Sequence, residues 1–254
     1  MDWGAVSHQL VDHYSFRARL IPGLMLILPV LCWLVATYGL DAPLLTSLLT
    51  LFAACGVPYA LSNVVRTYGL KAQSSLATAW GGMPTTLILR HGNPHLPAPA
   101  KELRHSQIEK RFGIRMPSPE DELDSLQNAD EYYRTATLHL IAATRDREKF
   151  PLVFKELVSY GFNRNCYGVR WFGCIVSVVA LILTGIQSGL LTATDIEKTY
   201  NAIKEVTLGQ GLTATVSAVM AIIWTAHFSA TTVKLSGYSY AERLLESLTD
   251  ITDP

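Results

Sequence analysis

The chain has 254 residues, 49% of them hydrophobic, and its formal net charge is zero because 21 Lys and Arg balance 21 Asp and Glu. Its apolar residues are gathered in long runs rather than spread with the period of a soluble helix or strand. This clustering argues against one large or two small soluble domains and favours a membrane protein. Neutrality hides an asymmetry, since residues 62–165 carry fourteen cations and eleven acids and the remainder carries seven and ten.

The first predicted element is an interfacial segment at residues 1–19, which is polar and aromatic and ends in Arg17 and Arg19. Residues 20–40 then lack charge and are long enough to cross a hydrocarbon core of roughly 30 Å. A second charge-free run follows at 44–61 after a tight turn, so residues 20–61 are predicted to form a transmembrane hairpin. Cations flank the hairpin only at its two ends, and the positive-inside rule places both ends in the cytoplasm.

Residues 62–165 are predicted to form a mainly helical cytoplasmic regulatory domain. The run Gly81-Gly82-Met83-Pro84 should end its first helix, because glycine and proline are costly inside a helix. Residues 85–89 are β-branched and apolar, which predicts a short strand or a buried extended piece. A basic helix is expected from Lys101 to Ile114, and Ser118 with Pro119 is a good helix start.

A second transmembrane hairpin is predicted at residues 166–230, with spans at 168–191 and 212–228 and an amphipathic connector at 194–208. The cations Lys234 and Arg243 return the tail, residues 231–254, to the cytoplasm. The sequence therefore predicts an all-α inner-membrane protein with four spans and with both termini in the cytoplasm.

Small and polar residues form a row along each of the last two spans. The bilayer-spanning helices could use these rows to pack closely, or several copies could use them to line a hydrated pore. Packing is the better expectation for either row alone, although an amide without a partner at Gln187 would be costly in hydrocarbon and favours the pore. The candidate pore-lining residues are Ser177, Thr184, Gln187, Thr213, Ser217 and Thr225.

Two features of the central domain suit an anionic ligand. Trp80 offers a stacking face beside close-approaching glycines, and Arg90 with His91 adds positive charge. The basic helix could bind phosphates or anionic lipid. A structural turn and a solvated helix face explain the same residues equally well. The candidate ligand-binding residues are Trp80, Arg90, His91, Lys101, Arg104, Lys110, Arg111 and Arg115.

Motifs for catalysis or metal binding are missing from the sequence. The four cysteines include no CxxC pair, and neither GxSxG, HExxH nor a phosphate-binding loop occurs. We therefore expect no enzyme activity, no cofactor and no metal. Two alternatives to a ligand-gated pore stay open, namely a membrane-anchored enzyme acting on lipid or nucleotide and a non-catalytic membrane scaffold.

The layout of two hydrophobic hairpins around a helical block resembles the membrane component of bacterial Hailong antiphage systems. Its runs Tyr68-Gly69-Leu70-Lys71-Ala72-Gln73 to Arg90-His91 and Tyr160-Gly161-Phe162-Asn163-Arg164-Asn165 carry the resemblance. The resemblance implies a tetrameric ion-channel effector that single-stranded DNA oligomers hold shut. It also implies that a partner nucleotidyltransferase makes these oligomers and that the channel opens when phage activity removes them. No binding residue follows from it.

Overall fold

The computed structural model describes residues 13–39, 43, 46, 47, 50 and 56–251. Regular structure within those residues is entirely helical, which confirms the all-α prediction for that part of the chain. The helices, numbered here in chain order, are α1 (His13–Tyr38), α2 (Val57–Trp80), α3 (Pro84–Leu87), α4 (Ala98–Phe112), α5 (Pro119–Asp124), α6 (Leu126–Ala143), α7 (Pro151–Gln187), α8 (Ile196–Glu205), α9 (Leu208–His227) and α10 (Ala230–Glu246).

Three helices, α1, α7 and α9, are long and apolar enough to cross a membrane. They coincide with the first, third and fourth predicted spans, and they indicate a membrane protein. Half of the second predicted span, 44–61, lies outside the described residues, as do residues 1–12 of the predicted interfacial segment.

The chain divides into two compact units. Unit 1 comprises residues 1–72 and 161–229, and unit 2 comprises residues 73–160 and 230–254. Helices α2 and α7 contribute residues to both units without a break in the helix. The region predicted as a regulatory domain therefore falls mostly in unit 2.

Glycines of α7 allow other helices of unit 1 to pack closely against it. A Cβ on Gly161 would lie 2.6 Å from the Tyr14 hydroxyl, and one on Gly168 would lie 2.6 Å from the Tyr68 carbonyl oxygen. A Cβ on Gly173 would overlap the Trp224 indole. Each of α1, α2 and α9 thus packs where α7 has no side chain, as small residues allow in membrane helices.

The crossing of α2 and α7 joins the two runs that carry the family resemblance. Gly69 of α2 lies directly against Asn165 of α7, so that a Cβ on Gly69 would overlap the Asn165 side chain. Asn165 is fully buried, and its amide donates to the Ala18 carbonyl at 2.5 Å while its oxygen accepts from the Arg164 guanidinium. A buried amide that is hydrogen-bonded in this way fixes the contact of three helix segments.

An apolar core surrounds this crossing in unit 1. It is built by α2, α7 and α9, and its buried members are Val65, Cys166, Val169, Met220, Trp224 and Phe228. The last turn of α9, Ile223–His227, is a π-helix, and Trp224 within it is fully buried. Wider turns of this kind change which side chains face the helix interface.

Unit 2 corrects the prediction for residues 85–89. Gly81 and Gly82 adopt φ values of +77° and +152°, which end α2, and Pro84 then begins the one-turn helix α3. Leu87 is the buried last residue of α3, and Ile88 and Leu89 follow as buried turn residues, so residues 85–89 form no strand. The apolar pattern correctly indicated burial, but the proline at the first helical position and tertiary packing decided the backbone.

Capping residues set the ends of the next helices, and α4 spans Ala98–Phe112 rather than the predicted Lys101 to Ile114. Helix α4 ends at Gly113, which adopts the left-handed conformation. Helix α5 has the predicted start, because the Ser118 hydroxyl accepts from the Asp121 amide and the Asp121 carboxylate accepts from the Ser118 amide. Ser125 caps α6 in turn, so the helix that starts after Ser118 ends at Asp124 and a second helix follows it.

Residues predicted as a cytoplasmic tail form helix α10 in unit 2. Gly237 of α10 lies against Pro84, where an added Cβ would be 2.8 Å from the proline ring. The Tyr160 and Tyr240 rings are parallel with centroids 6.4 Å apart. The buried residues along α10 are Val233, Ser236, Gly237, Tyr240, Ala241, Leu244 and Leu245.

Candidate ligand-binding groove

A loop at residues 90–95 forms one wall of a groove in unit 2. The side chain of Arg90, its first residue, holds the start of the loop in place. The Arg90 guanidinium donates to both carboxylate oxygens of Asp130, at 2.8 and 2.5 Å, and to the Gly81 carbonyl at 2.6 Å. This two-bond ion pair raises the pKa of Arg90 above its ordinary value. The Arg90 guanidinium therefore links Asp130 of α6 to Gly81, which directly follows α2. It stays positively charged.

Glu122 holds the same loop from the side of α5. Its carboxylate accepts from the His91 amide at 2.8 Å, from the Gly92 amide at 3.2 Å and from the Tyr133 hydroxyl at 2.7 Å. Burial alone would raise the pKa of Glu122, but these three hydrogen bonds hold it below its ordinary value. Burial and the Glu122 carboxylate both raise the pKa of Tyr133, which keeps its hydroxyl protonated.

Two basic residues of α4 contact backbone carbonyls of the loop and of the residue that precedes it. Lys101 is 3% exposed, and its ammonium donates to the carbonyls of His91 and Asn93 at 2.9 and 2.7 Å. The His105 ring nitrogen Nε2 lies 2.8 Å from the Leu89 carbonyl. Burial lowers the pKa of both side chains, so His105 is neutral near pH 7 and Nε2 carries the proton that it donates to Leu89.

Helix α10 supplies the opposite wall. The Asn93 amide donates to the Tyr238 hydroxyl at 3.0 Å, and His95 Nε2 lies 2.9 Å from the Glu242 carboxylate. The His95 ring also stacks on Tyr238, with centroids 4.3 Å apart. The loop is thus fixed by contacts to α2, α4, α5, α6 and α10, which makes this wall of the groove preorganised.

The groove between these elements has a volume of about 690 Å³. Trp80 and Tyr238 present aromatic rings to it, and Lys234 is exposed at its edge. Among the described residues that line the groove, Lys234 is the cation whose ammonium has no hydrogen-bond or ion-pair partner. The other lining residues are Leu87, Arg90, Gly92, Asn93, Pro94, His95, Glu122, Leu126, Thr231 and Leu235.

The structure divides the predicted ligand-binding residues. Trp80 and Arg90 line the groove, while His91 turns its ring toward the Pro117 carbonyl and Lys101 is buried behind the loop. Arg104 and Lys110 lie elsewhere on α4, with the half-buried Arg111, and none of the three lines the groove. Arg115 follows α4 and pairs with Asp121 at 3.2 Å. The binding role of these residues stays a prediction.

The predicted pore-lining residues are also divided within unit 1. Ser177, Thr184, Thr213 and Ser217 are buried in the single chain. Each hydroxyl of the first three bonds to the carbonyl four residues before it, as is usual for serine and threonine in helices. Gln187 and Thr225 are exposed, and Gln187 accepts from the Thr37 hydroxyl at 3.2 Å, so its amide has the partner that the sequence did not reveal.

The groove residues that the sequence did not single out lie mainly on α10. Lys234 enters the sequence-based prediction only as a cation that indicates membrane topology, and Tyr238 does not enter it. A signal for both exists in the spacing Thr231, Lys234, Tyr238, which puts the three on one face of a helix whose other face carries Val233 and Tyr240. Spacing alone does not reveal that this face meets the 90–95 loop.

The site defines a class rather than a particular protein, namely a helical membrane protein with an aromatic and cationic groove. Within the described residues no group of three or more His, Cys, Asp or Glu side chains is placed to hold a metal ion. Searches against protein-family models, curated proteins and solved structures find no match to this chain.

Proposed function

We propose that the chain is a multi-pass effector of the inner membrane whose unit 2 binds an anionic ligand with flat rings and so gates an ion pore. The single observation that carries this proposal is the groove, which combines the Trp80 and Tyr238 rings with the partner-free ammonium of Lys234. Such a combination suits a nucleotide or a short single strand, because bases stack on aromatic faces while cations attract phosphate.

The acids of the groove do not oppose this assignment. The Glu122 carboxylate, which lines the groove, accepts from three donors, and Asp130, the partner of Arg90, is not among the lining residues. A phosphate at Lys234 can therefore pair with an ammonium that no carboxylate of the described chain occupies. Preorganisation of the 90–95 loop lowers the ordering cost of binding.

The pore is proposed to form from several copies. The described part of one copy has three helices long and apolar enough to span a bilayer, and a closed ring of copies about a symmetry axis is easier to build into a pore than a single copy. The groove alone supports ligand binding and does not fix the number of copies. The resemblance to the Hailong membrane component supplies the tetramer, the antiphage role and a single-stranded DNA oligomer from a partner nucleotidyltransferase as the ligand.

Helix continuity supplies the proposed route from ligand to pore. Helix α2 ends at Trp80 of the groove and runs unbroken from residues of unit 1, and α7 likewise contributes to both units. A ligand that orders Trp80 therefore acts on α2, and the other end of α2 belongs to unit 1, the apolar unit.

A non-catalytic membrane scaffold is the second candidate, and a specific observation favours it. Four of the six predicted pore-lining residues are buried inside one chain, which is the arrangement of a packing seam. A scaffold predicts ligand or partner binding without ion flux under any condition. A membrane-anchored enzyme would instead show turnover of lipid or nucleotide.

Binding is tested with the detergent-solubilised full chain and a fluorescein-labelled single-stranded deoxyoligonucleotide. Trp80→Ala should weaken binding by on the order of 1 to 3 kcal/mol per stacked base. Lys234→Glu should weaken it and reduce the slope of log affinity against log salt by roughly 0.7 for each phosphate that the protein no longer neutralises. Lys155→Glu, at an exposed lysine of α7 away from the groove, is the matched control.

Ion flux from liposomes that contain the wild-type chain, with and without the oligonucleotide, tests the pore. A flux that changes with the oligonucleotide, and fails to change in Lys234→Glu, supports the proposal. Binding of the oligonucleotide without ion flux would favour the membrane scaffold. Turnover of lipid or nucleotide without ion flux would favour the membrane-anchored enzyme. Unchanged binding in both groove variants would refute the groove as the site.

A further inference from the structure

Helix α8 exposes an apolar stripe although it is a short helix with many charges. Ile196 is 89% exposed, and Tyr200 and Ile203 are each 57% exposed. These residues recur at positions i, i+4 and i+7, which places them on one face of the helix. A stripe of this kind on a ten-residue helix costs free energy in water unless something covers it.

The remaining faces of α8 already have surroundings. Ala202 lies toward unit 1, where a Cβ on Gly189 would be 3.7 Å from it. The charged side chains of Lys198 and Glu205 lie on the side opposite the stripe, Glu197 lies at its flank, and all three are exposed. The helix therefore has one face for the protein, one for water and one apolar face without a protein partner in the described chain.

The position of α8 specifies what covers that face. Only Val206 and Thr207 separate its last residue from Leu208, where the apolar helix α9 begins. At no more than about 3.5 Å per residue, α8 ends within about 10 Å of α9. Leu208 and Leu212 at the start of α9 are 81% and 58% exposed and supply a second apolar surface close to this end.

We propose that α8 binds the bilayer surface, with Ile196, Tyr200 and Ile203 inserted at the boundary of headgroups and acyl chains. This inference rests on the proposed membrane insertion of α7 and α9. Tyr200 and Lys204 suit that depth, because the lysine ammonium lies 4.2 Å from the tyrosine ring and can extend to the headgroups while its stem stays in apolar surroundings.

The charge of α8 selects the chemistry of its partner. Residues 195–205 contain three acids and two cations, so the segment has no excess of positive charge for anionic lipid. Binding is therefore driven by burial of the apolar stripe, and zwitterionic phosphatidylcholine is sufficient. Neither added anionic lipid nor salt should strengthen it.

Site-directed spin labelling of the full chain in phosphatidylcholine vesicles tests the proposal. Cys32, Cys55, Cys166 and Cys174 are first replaced by alanine, and labels are then attached to Ile203→Cys, Asn201→Cys and Ile182→Cys. Ile203 lies on the stripe, Asn201 lies on the water face, and Ile182 is an exposed residue of α7. The Ile203 and Ile182 labels should collide more with oxygen than with a water-soluble nickel complex, and the Asn201 label should show the reverse.

The outcomes separate this inference from the proposal on which it rests. A lipid-exposed Ile182 label with a water-exposed Ile203 label would overturn the role of α8 alone. Water exposure at both positions would instead refute membrane insertion. An Ile203 label that neither collision partner reaches would show that a second copy or another protein covers the stripe, which also overturns the proposal.

A second measurement uses the unmodified chain in case the cysteine-free variant does not fold. Phosphatidylcholine with a diazirine on its acyl chain is photoactivated in vesicles that contain the wild-type protein, and the lipid adducts are mapped by mass spectrometry. Adducts on Tyr200 or Ile203 at several times the yield on Lys198 or Asn201 support the proposal. Adducts on α7 with none on α8 would refute it.

Discussion

At the scale of single residues, the most demanding position in unit 1 is Gly69. No side chain fits there, because the Asn165 amide and the α7 backbone occupy the space that a Cβ would need. The amide in turn bonds to the Ala18 carbonyl, so one glycine permits a contact among α1, α2 and α7. Close approach, rather than a left-handed backbone, is what requires glycine here.

Gly69→Ala should therefore destabilise the protein by about 1 to 3 kcal/mol, the usual cost of overpacking. Gly211→Ala is the matched control, since Gly211 also lies in a helix but an added Cβ would meet nothing within 4 Å. The control should be neutral or stabilising by up to about 1 kcal/mol. Thermal unfolding in detergent measures both, and equal melting temperatures for the two variants would contradict the close contact.

His105 predicts a dependence of stability on pH. Because burial lowers the pKa of His105, the unfolded chain takes up this proton at a higher pH than the folded chain does. The stability that the neutral His105 ring contributes is therefore fully present above the ordinary histidine pKa of 6.5. It is lost as the pH falls below 6.5 toward the lowered pKa of the folded state. The loss can reach about 1.4 kcal/mol per pH unit.

In His105→Gln the side-chain amide can still donate to the Leu89 carbonyl but cannot titrate. This variant should lose less stability than the wild type between pH 7 and pH 5 in a thermal unfolding series. His139→Gln, at an exposed histidine of α6, should keep the wild-type dependence. The same fall in all three proteins would show that His105 is not the source of the dependence.

At the scale of elements, the 90–95 loop is held mainly by side chains from several helices, in addition to one backbone bond from the Asn93 amide to the Arg90 carbonyl. Glu122 is central, because it satisfies two loop amides and the Tyr133 hydroxyl together. Lys101 satisfies two loop carbonyls from the other side. An irregular loop with its polar groups engaged in this way can form a rigid wall.

Glu122→Gln should release the loop, since an amide cannot accept from three donors as a carboxylate does. The expected loss is on the order of 2 kcal/mol, typical of hydrogen bonds to a charged group. Hydrogen exchange of the full chain should show faster exchange at the amides of His91 and Gly92. Glu102→Gln, at an exposed acid of α4, is the control, and unchanged protection in Glu122→Gln would refute the clamp.

Much of the helical layout was predictable because its signals are local. Charge-free runs located α1, α7 and α9, the glycine pair located the end of α2, and Ser118 with Pro119 located α5. The groove was predictable only in part. Trp80 and Arg90 were identified, but the inward direction of Lys101 and His105 depends on tertiary packing that a basic sequence pattern does not encode.

At the scale of the whole molecule, the proposed pore must use surfaces that one chain leaves open. Gln187 and Thr225 are exposed, whereas Ser177, Thr184, Thr213 and Ser217 are enclosed within unit 1. A shared axis of several copies can therefore be lined by the first two without any change inside a subunit. The four enclosed residues reach water only if the helices that pack over them move apart.

Thr225→Cys in the cysteine-free chain should thus react with a water-soluble methanethiosulfonate in liposomes whether the pore is open or closed. Ser217→Cys is the matched control on the same helix, and it should react at least tenfold more slowly in the closed state, because only rare opening exposes a buried group. Mass spectrometry of the labelled protein measures both rates. Modification of Thr225→Cys solely by a membrane-soluble reagent would place that residue in lipid and contradict the pore.

Unit 2 is built from two separate parts of the chain, residues 73–160 and 230–254, which are synthesised at different times. Helix α10 supplies buried Val233, Tyr240 and Leu244 to that unit, yet it is translated after the last apolar helix, α9. While the ribosome is still making α9, residues 73–160 have no α10 to pack against. The groove that Trp80 and Tyr238 line can therefore form only after α9 has been made.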